Sequence, residues 1–247
     1  MAATRRGLLA GLAGACAGTA ASASTPAPDA GSGPRYGMVV DLAKCIGCQA
    51  CTVSCIFENA VPPGSFRTIV STYEVTLEDG PERRRAGMAM LPRLCNHCAE
   101  PPCIPVCPVG ATFQRPDGIV VVDGDVCVGC AYCVQACPYD ARFINAETET
   151  ADKCTFCAHR VDAGLLPACV ESCVGGARIF GDLNDPDSTV SRLLAAGEAA
   201  TLKPEAGTKP RVFYLGLDAA LAGKVDGTPT LWRPESDPPP VAKHGRA

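Results

Sequence analysis

Sixteen of the seventeen cysteines in this 247-residue chain fall into four quartets, and any fold must bring those thiols together. The quartets are Cys45, Cys48, Cys51, Cys55; Cys95, Cys98, Cys103, Cys107; Cys127, Cys130, Cys133, Cys137; and Cys154, Cys157, Cys169, Cys173. The first and third have the bacterial ferredoxin spacing, three thiols two residues apart and a fourth three residues later. Three thiolates on a tight loop cap three irons of one cubane, and the fourth sits too far along the chain to complete that corner. In two-cluster ferredoxins it ligates the other cluster. Sixteen thiols therefore match four [4Fe–4S] clusters with none to spare.

Two other chemistries use cysteine-rich sequences. A disulfide framework is the default for a small secreted chain, but it does not favour thiols bunched at spacings of two and three in four separate groups. Zinc takes paired Cys-x-x-Cys units, yet needs only two pairs per ion. Here three thiols gather and a fourth follows, twice with proline next, as Pro108 and Pro138. Those prolines fix the backbone where it leaves the cluster. Exchange of the fourth ligand then gives one set of Cys95, Cys98, Cys103 with Cys137, and another of Cys127, Cys130, Cys133 with Cys107. The same rule joins Cys45, Cys48, Cys51 to Cys173, and Cys154, Cys157, Cys169 to Cys55. The last quartet is stretched, with eleven residues between Cys157 and Cys169.

The expected fold class is α+β, with two ferredoxin-like units in one chain, a β-hairpin insertion and an extended C-terminal tail. Val40-Asp41 leading to Cys45-Ile46-Gly47-Cys48 recurs as Val122-Asp123 leading to Cys127-Val128-Gly129-Cys130, an internal repeat of strand, cysteine loop and short helix. Residues 36–60 and 145–185 would form the unit with quartets one and four, and residues 91–144 the unit with quartets two and three. Residues 61–90 read as the hairpin: Thr68 to Leu77 is rich in β-branched residues, and Glu78-Asp79-Gly80-Pro81 is a turn. Residues 186–247 would supply a helix from Ser188 to Ala199, a strand from Arg211 to Leu217, and a Pro-rich strap on a partner. Aromatic content of 5%, with 25 Gly and 22 Pro, implies that inorganic clusters replace part of a hydrophobic core.

Net charge of −4 and a pI near 5.4 leave no basic stripe for nucleic acid. Arg83, Arg84 and Arg85 read as a solvated loop. Residues 1–23 read as an export signal: Thr4-Arg5-Arg6-Gly7-Leu8-Leu9 resembles a twin-arginine signal, and Ala21-Ser22-Ala23 would suit a signal peptidase. Cys16 would be discarded with it, and residues 24–35 would be a linker. The expected location is the periplasm, peripheral to the cytoplasmic membrane.

His97 and His159 flank complete quartets and read as supporting or surface imidazoles. Lys44, Arg93, Lys153 and Arg160 adjoin cluster loops, where they would raise a potential or pair elsewhere. Tyr132, Tyr139 and Phe156 read as shields against water. Asp79, Asp117, Asp123 and Asp182 read as turn residues. No nucleophile–base pair, phosphate loop or paired carboxylates are present, so the chain reads as non-catalytic.

Four complete quartets resemble the four-cluster iron–sulfur subunit of molybdopterin oxidoreductases, a group that includes dimethyl sulfoxide, polysulfide and tetrathionate reductases. The likeness runs from Tyr36 to Trp232 and is carried by Lys44–Cys51, Leu91–Cys98 and Cys130–Asn145. Val212-Phe213-Tyr214-Leu215-Gly216-Leu217-Asp218 points to the tetrathionate reductase branch, the likeness being to its iron–sulfur subunit. The resemblance implies an electron relay between a quinol-oxidising integral membrane subunit and a molybdopterin catalytic subunit, with tetrathionate reduced to thiosulfate. The same relay would serve a polysulfide reductase or a cytochrome nitrite reductase system.

Overall fold

The computed structural model describes residues 33–78, 84–196 and 199–217, except the side chains of 76–78 and 84–86. The signal segment, Cys16, the turn at Asp79–Pro81 and the Pro-rich end of the chain lie outside the described residues, as does most of the linker.

Strand β1 (Tyr36–Asp41) carries Met38, Val39 and Val40 fully buried, so both of its faces are covered. Helix α1 (Ala50–Glu58) follows, then the long strands β2 (Thr68–Glu78) and β3 (Arg84–Leu94). These two pair antiparallel from Thr68 opposite Leu94 to Glu78 opposite Arg84, which carries the ribbon directly into the second quartet. Two small antiparallel pairs come next: β4 (Thr112–Gln114) with β5 (Val120–Val122), and, beyond helix α2 (Tyr132–Gln135), β6 (Arg142–Ile144) with β7 (Ala151–Lys153). Helices α3 (Ala158–Asp162) and α4 (Ala168–Glu171) lead into β8 (Arg178–Asp182). Helix α5 (Thr189–Ala195), β9 (Ala199–Ala200) and β10 (Val212–Leu215) complete the described chain.

The principal sheet has the order β8-β1-β10-β9. β1 runs antiparallel to β8 and parallel to β10, so the late strand is an interior member of the sheet. Tyr214 is fully buried and donates its hydroxyl proton to the Pro92 carbonyl at 3.0 Å. The segment around β10 is thus core, and the strap expected of the C-terminal region falls outside the described residues. Helix α5 also stops four residues short of the expected Ala199. Ser188 caps it, its hydroxyl accepting from Ser191 N–H at 3.1 Å, while Ala199 and Ala200 pair instead with Leu215 and Tyr214.

The core mixes apolar side chains with thiols. Met38, Leu91, Ile119 and Phe156 pack in one cluster with Cys51, Cys95, Cys98, Cys154 and Cys169, and a smaller cluster joins Val120 and Ala151 to Cys103 and Cys133. The first of these draws residues from both expected units. Among the described residues no helix is long and apolar enough to cross a membrane.

Candidate metal centres

The first Cys-x-x-Cys loop of every quartet turns on a left-handed residue in its third position: Gly47 (φ 71°), His97 (φ 42°), Gly129 (φ 67°) and Phe156 (φ 50°). That conformation swings backbone N–H groups back toward the first sulfur. Phe156 N–H reaches Cys154 Sγ at 3.4 Å, and Gly47 N–H bonds Cys45. Glycine adopts this shape freely. His97 and Phe156 hold it because their buried rings stack on each other, with centroids 3.7 Å apart.

A second turn repeats after the fourth cysteines. Cys107, Cys137 and Cys173 are each followed three residues on by a left-handed residue (Gly110, Asp140, Gly176) and then by an alanine. The N–H groups of Ala111, Ala141 and Ala177 bond the respective sulfurs, the last at 3.2 Å. The sequence carries this turn as Cys-x-x-(Gly or Asp)-Ala, a signal that cysteine spacing alone does not reveal. Cys55 is the exception because it lies inside α1. There Asn59 Nδ2 stands 3.5 Å from Cys55 Sγ and 3.7 Å from Cys157 Sγ.

The sulfurs sort as follows. Cys45, Cys48, Cys51 and Cys173 line one pocket. Cys55 faces Cys169 and Cys157, and Cys154 faces Cys55 and Cys169. Cys98 faces Cys95, Cys137 and Cys103. Cys127 accepts Ala151 N–H at 3.3 Å and, with Cys133, packs on the smaller core cluster, while Cys130 is exposed and Cys107 half-buried. All sixteen thiols are free. Among the described residues no three His, Cys, Asp or Glu side chains gather as a site for one metal ion.

Burial pushes the Cys55 and Cys98 thiols up to about 12 and raises Cys103, Cys137, Cys154 and Cys169 as well. Cys107 goes the other way: slight burial raises it, but N–H groups of Thr112, Val109, Ala111 and Gly110 outweigh that and favour its thiolate. Buried neutral thiols are poor ligands, since the thiolate is what binds metal. The compensation is already built in. Arg142, Lys153 and Arg178 are 5%, 1% and 3% exposed, and the opposite charges facing them are thiol sulfurs, joined at Arg178 by the Tyr214 hydroxyl. Buried cations aimed at some of the sulfurs, with backbone N–H groups at others, fit an anionic iron–sulfur group.

The other singled-out residues divide. Lys44 is exposed and pairs with Asp41 at 3.0 Å. Arg160 pairs with Glu58 at 2.8 Å and with Glu171, and exposed His159 also meets Glu58, at 2.8 Å. Arg93 is buried and donates to the Tyr139 carbonyl at 3.1 Å. His97 is fully buried, its Nδ1 accepting Val120 N–H at 3.1 Å. Tyr139 and Phe156 are buried shields, but Tyr132 is 57% exposed and shields nothing, because α2 turns it outward while burying Cys133. Asp117, Asp123 and Asp182 accept backbone N–H groups two residues on, as turn residues do.

Comparison with known proteins agrees with this geometry. Two models described as 4Fe-4S dicluster domain match residues 44–111 and 86–183. A tetrathionate reductase subunit of Salmonella typhimurium is 64% identical over 203 residues, 81% of this chain and 80% of that protein. The chain belongs to the 4Fe-4S dicluster family of reductase iron–sulfur subunits. The corresponding tetrathionate reductase subunit of Archaeoglobus fulgidus is 44% identical, covering 75% of this chain and 84% of that protein. A putative dimethyl sulfoxide reductase iron–sulfur subunit of Halobacterium salinarum is 45% identical, covering 73% and 79%. Like its family, this chain is a non-catalytic electron-transfer subunit with four [4Fe–4S] clusters, two to each dicluster domain.

Proposed function

We propose that this chain relays electrons from a quinol-oxidising membrane subunit to a molybdopterin catalytic subunit that reduces tetrathionate to thiosulfate. The observation that carries the reading is the placing of Cys173 with Cys45, Cys48 and Cys51, of Cys55 beside Cys157 and Cys169, and of Cys137 beside Cys98, together with 64% identity to a tetrathionate reductase subunit. The ligand sets are Cys45, Cys48, Cys51, Cys173; Cys154, Cys157, Cys169, Cys55; Cys95, Cys98, Cys103, Cys137; and Cys127, Cys130, Cys133, Cys107. When bound, [4Fe–4S] clusters accept and release single electrons. The protein's part is to hold them in line. Cys133 packs in one cluster with Cys103, Cys95 acts electrostatically on Cys154, and Cys51 acts on Cys169, so successive sets are neighbours in one order from the Cys127 end to the Cys45 end.

Both ends of that row are open. Cys130 is exposed beside exposed Val128 and Tyr132, and Cys48 is exposed beside Ile46, with Val174 exposed next to Cys173. An exposed ligand ringed by apolar side chains suits transfer across a dry subunit interface, whereas the interior sets are buried except for half-buried Cys137. The β2–β3 ribbon is read as the insertion between units, and the Pro-rich end as a strap on a partner. Residues 1–23 direct twin-arginine export into the periplasm, a route that carries folded, cluster-loaded protein, and the mature chain is held at the membrane by its partners.

The test is anaerobic purification of the complex with iron and sulfide analysis. About sixteen irons per chain, from four cubanes, are expected, together with quinol-dependent tetrathionate reduction. Cys103→Ser should perturb one cluster and stop that turnover. Stoichiometric zinc, or full turnover in a Cys103→Ser protein whose cluster is verified absent, removes the proposal.

A further inference from the structure

Of the five buried cations among the described residues, Arg93, Arg142, Lys153, Arg178 and Arg211, the three that lie between ligand sets are not scattered among the sulfurs. Arg142 Nη2 donates to Cys103 Sγ at 3.1 Å, and the same guanidinium bonds Cys133. Those two thiols belong to different ligand sets, so Arg142 spans the gap between the third and fourth. Lys153 Nζ donates to the Cys154 carbonyl of the second set at 2.7 Å, and its charge also acts on Cys95 and Cys103 of the third. Arg178 Nη1 stands 3.8 Å from Cys169 Sγ and also faces Cys51, between the first and second. Three gaps separate four sets in a row, and each gap holds one buried cation.

Neutral contacts fix all three in place. Arg142 Nη1 donates to Thr112 Oγ1 at 3.2 Å, and Arg178 Nη2 to Thr68 Oγ1 at 2.8 Å. Lys153 Nζ donates to the Cys154 carbonyl at 2.7 Å and to the Val120 carbonyl. No carboxylate ion pair is found for any of the three among the described residues. Their positive charge is therefore left for the sulfur side.

We infer that Arg142, Lys153 and Arg178 are positioning residues that set the potentials of neighbouring clusters in pairs, one cation per gap. This rests on the ligand sets proposed above. In each step one electron leaves a cluster, which is oxidised, and enters its neighbour, which is reduced by one. A cation between them offsets the added negative charge on either side. It raises both potentials, each by an amount that falls with the cluster's distance from the charge. In a buried, low-dielectric gap that offset is little screened by salt.

The test is a potentiometric titration of the anaerobic holocomplex followed by electron paramagnetic resonance, on Arg142→Met, Lys153→Met and Arg178→Met. Each variant should shift two midpoints to more negative values and leave two unmoved. The Arg142 and Arg178 variants should move disjoint pairs, and the Lys153 variant one member of each. Arg142→Lys, Lys153→Arg and Arg178→Lys should restore the wild-type midpoints. General loosening of the fold would not reproduce that overlap. Where a Met variant loses a cluster, its Gln counterpart and its charge-retaining counterpart decide. Loss in the neutral proteins with retention in the charged one supports the inference, and loss in all overturns it. Unmoved midpoints in a protein with full iron overturn the inference alone. Shifts in pairs that do not overlap in this way overturn the ligand sets as well.

Discussion

Three glycines allow the strain in the cluster loops to be separated from their packing. Gly124 has ordinary φ and nothing within 4 Å of an added Cβ. Gly110 (φ 69°) also has nothing within 4 Å, but is left-handed. Gly129 has nearly the same dihedral (φ 67°), but its added Cβ would press on the Glu149 carbonyl oxygen, well inside the 3.0 Å that real Cβ contacts keep. That carbonyl cannot easily give way. Glu149 N–H is held by the Asn145 carbonyl at 2.8 Å, and Asn145 Oδ1 accepts from Glu147 and Thr148 in the same turn.

The magnitudes follow. Alanine in a left-handed position costs about 1–2 kcal/mol, and overpacking against fixed structure adds about 1–3 kcal/mol. For a chain of this size each kcal/mol lowers Tm by about 2–4 °C. Gly124→Ala should leave the protein near wild type. Gly110→Ala should lose about 2–8 °C and Gly129→Ala about 4–20 °C, by the same conversion. The assay is the anaerobic thermal loss of cluster absorbance at a single scan rate, because metal-dependent unfolding is neither two-state nor reversible. Equal falls for Gly110→Ala and Gly129→Ala would refute the packing argument. A fall for Gly124→Ala as large as for Gly110→Ala would refute the dihedral argument.

Two further outcomes follow from single hydrogen bonds. Asn59→Ala removes the donor shared by Cys55 and Cys157, so one cluster midpoint should move to more negative potential while the other three stay put, read by the same paramagnetic titration; four unmoved midpoints would count against the bond. Tyr214→Phe leaves the Pro92 carbonyl without its buried donor, which costs about 1–3 kcal/mol and should lower Tm. A Tyr214→Phe protein as heat-stable as wild type would mean that β10 is not held as described.

Much of this was legible in the spacing of the cysteines. Three thiols per loop and a displaced fourth are the source of the ligand sets proposed above, and the repeated Val-Asp before quartets one and three marks the strands β1 and β5 that precede them. The cations were harder to read. Lys44 and Lys153 each immediately precede the first cysteine of a quartet, yet one is exposed on Asp41 and the other is buried between sulfurs. Adjacency in sequence does not report which way a loop faces. Arg142 and Arg178 both follow the alanine of the Cys-x-x-(Gly or Asp)-Ala turn and open β6 and β8. The Ala-Arg pair closing that turn was the available signal. The place of β10 beside β1 was not readable at all, because a parallel pairing of Met38 with Val212 leaves no local trace.

For the ligand sets proposed above, the fourth-cysteine spacing also bears on how neighbouring sets are spaced. In every quartet the last two thiols are four residues apart: 51 and 55, 103 and 107, 133 and 137, 169 and 173. In α1 that interval is about one helical turn, which puts Cys51 and Cys55 on one face with an axial offset of roughly 6 Å. In the proposed ligand sets one helix would serve two neighbouring sets, their separation set by hydrogen-bonded backbone rather than by adaptable side-chain packing. The same interval in the other quartets is closed by local turns, with Cys107 N–H bonded to Ile104 and Cys173 N–H to Val170. A relay needs fixed distances more than it needs a deep apolar core. A chain with few aromatic residues and many short elements meets that need by directing its backbone hydrogen bonds at the sulfurs.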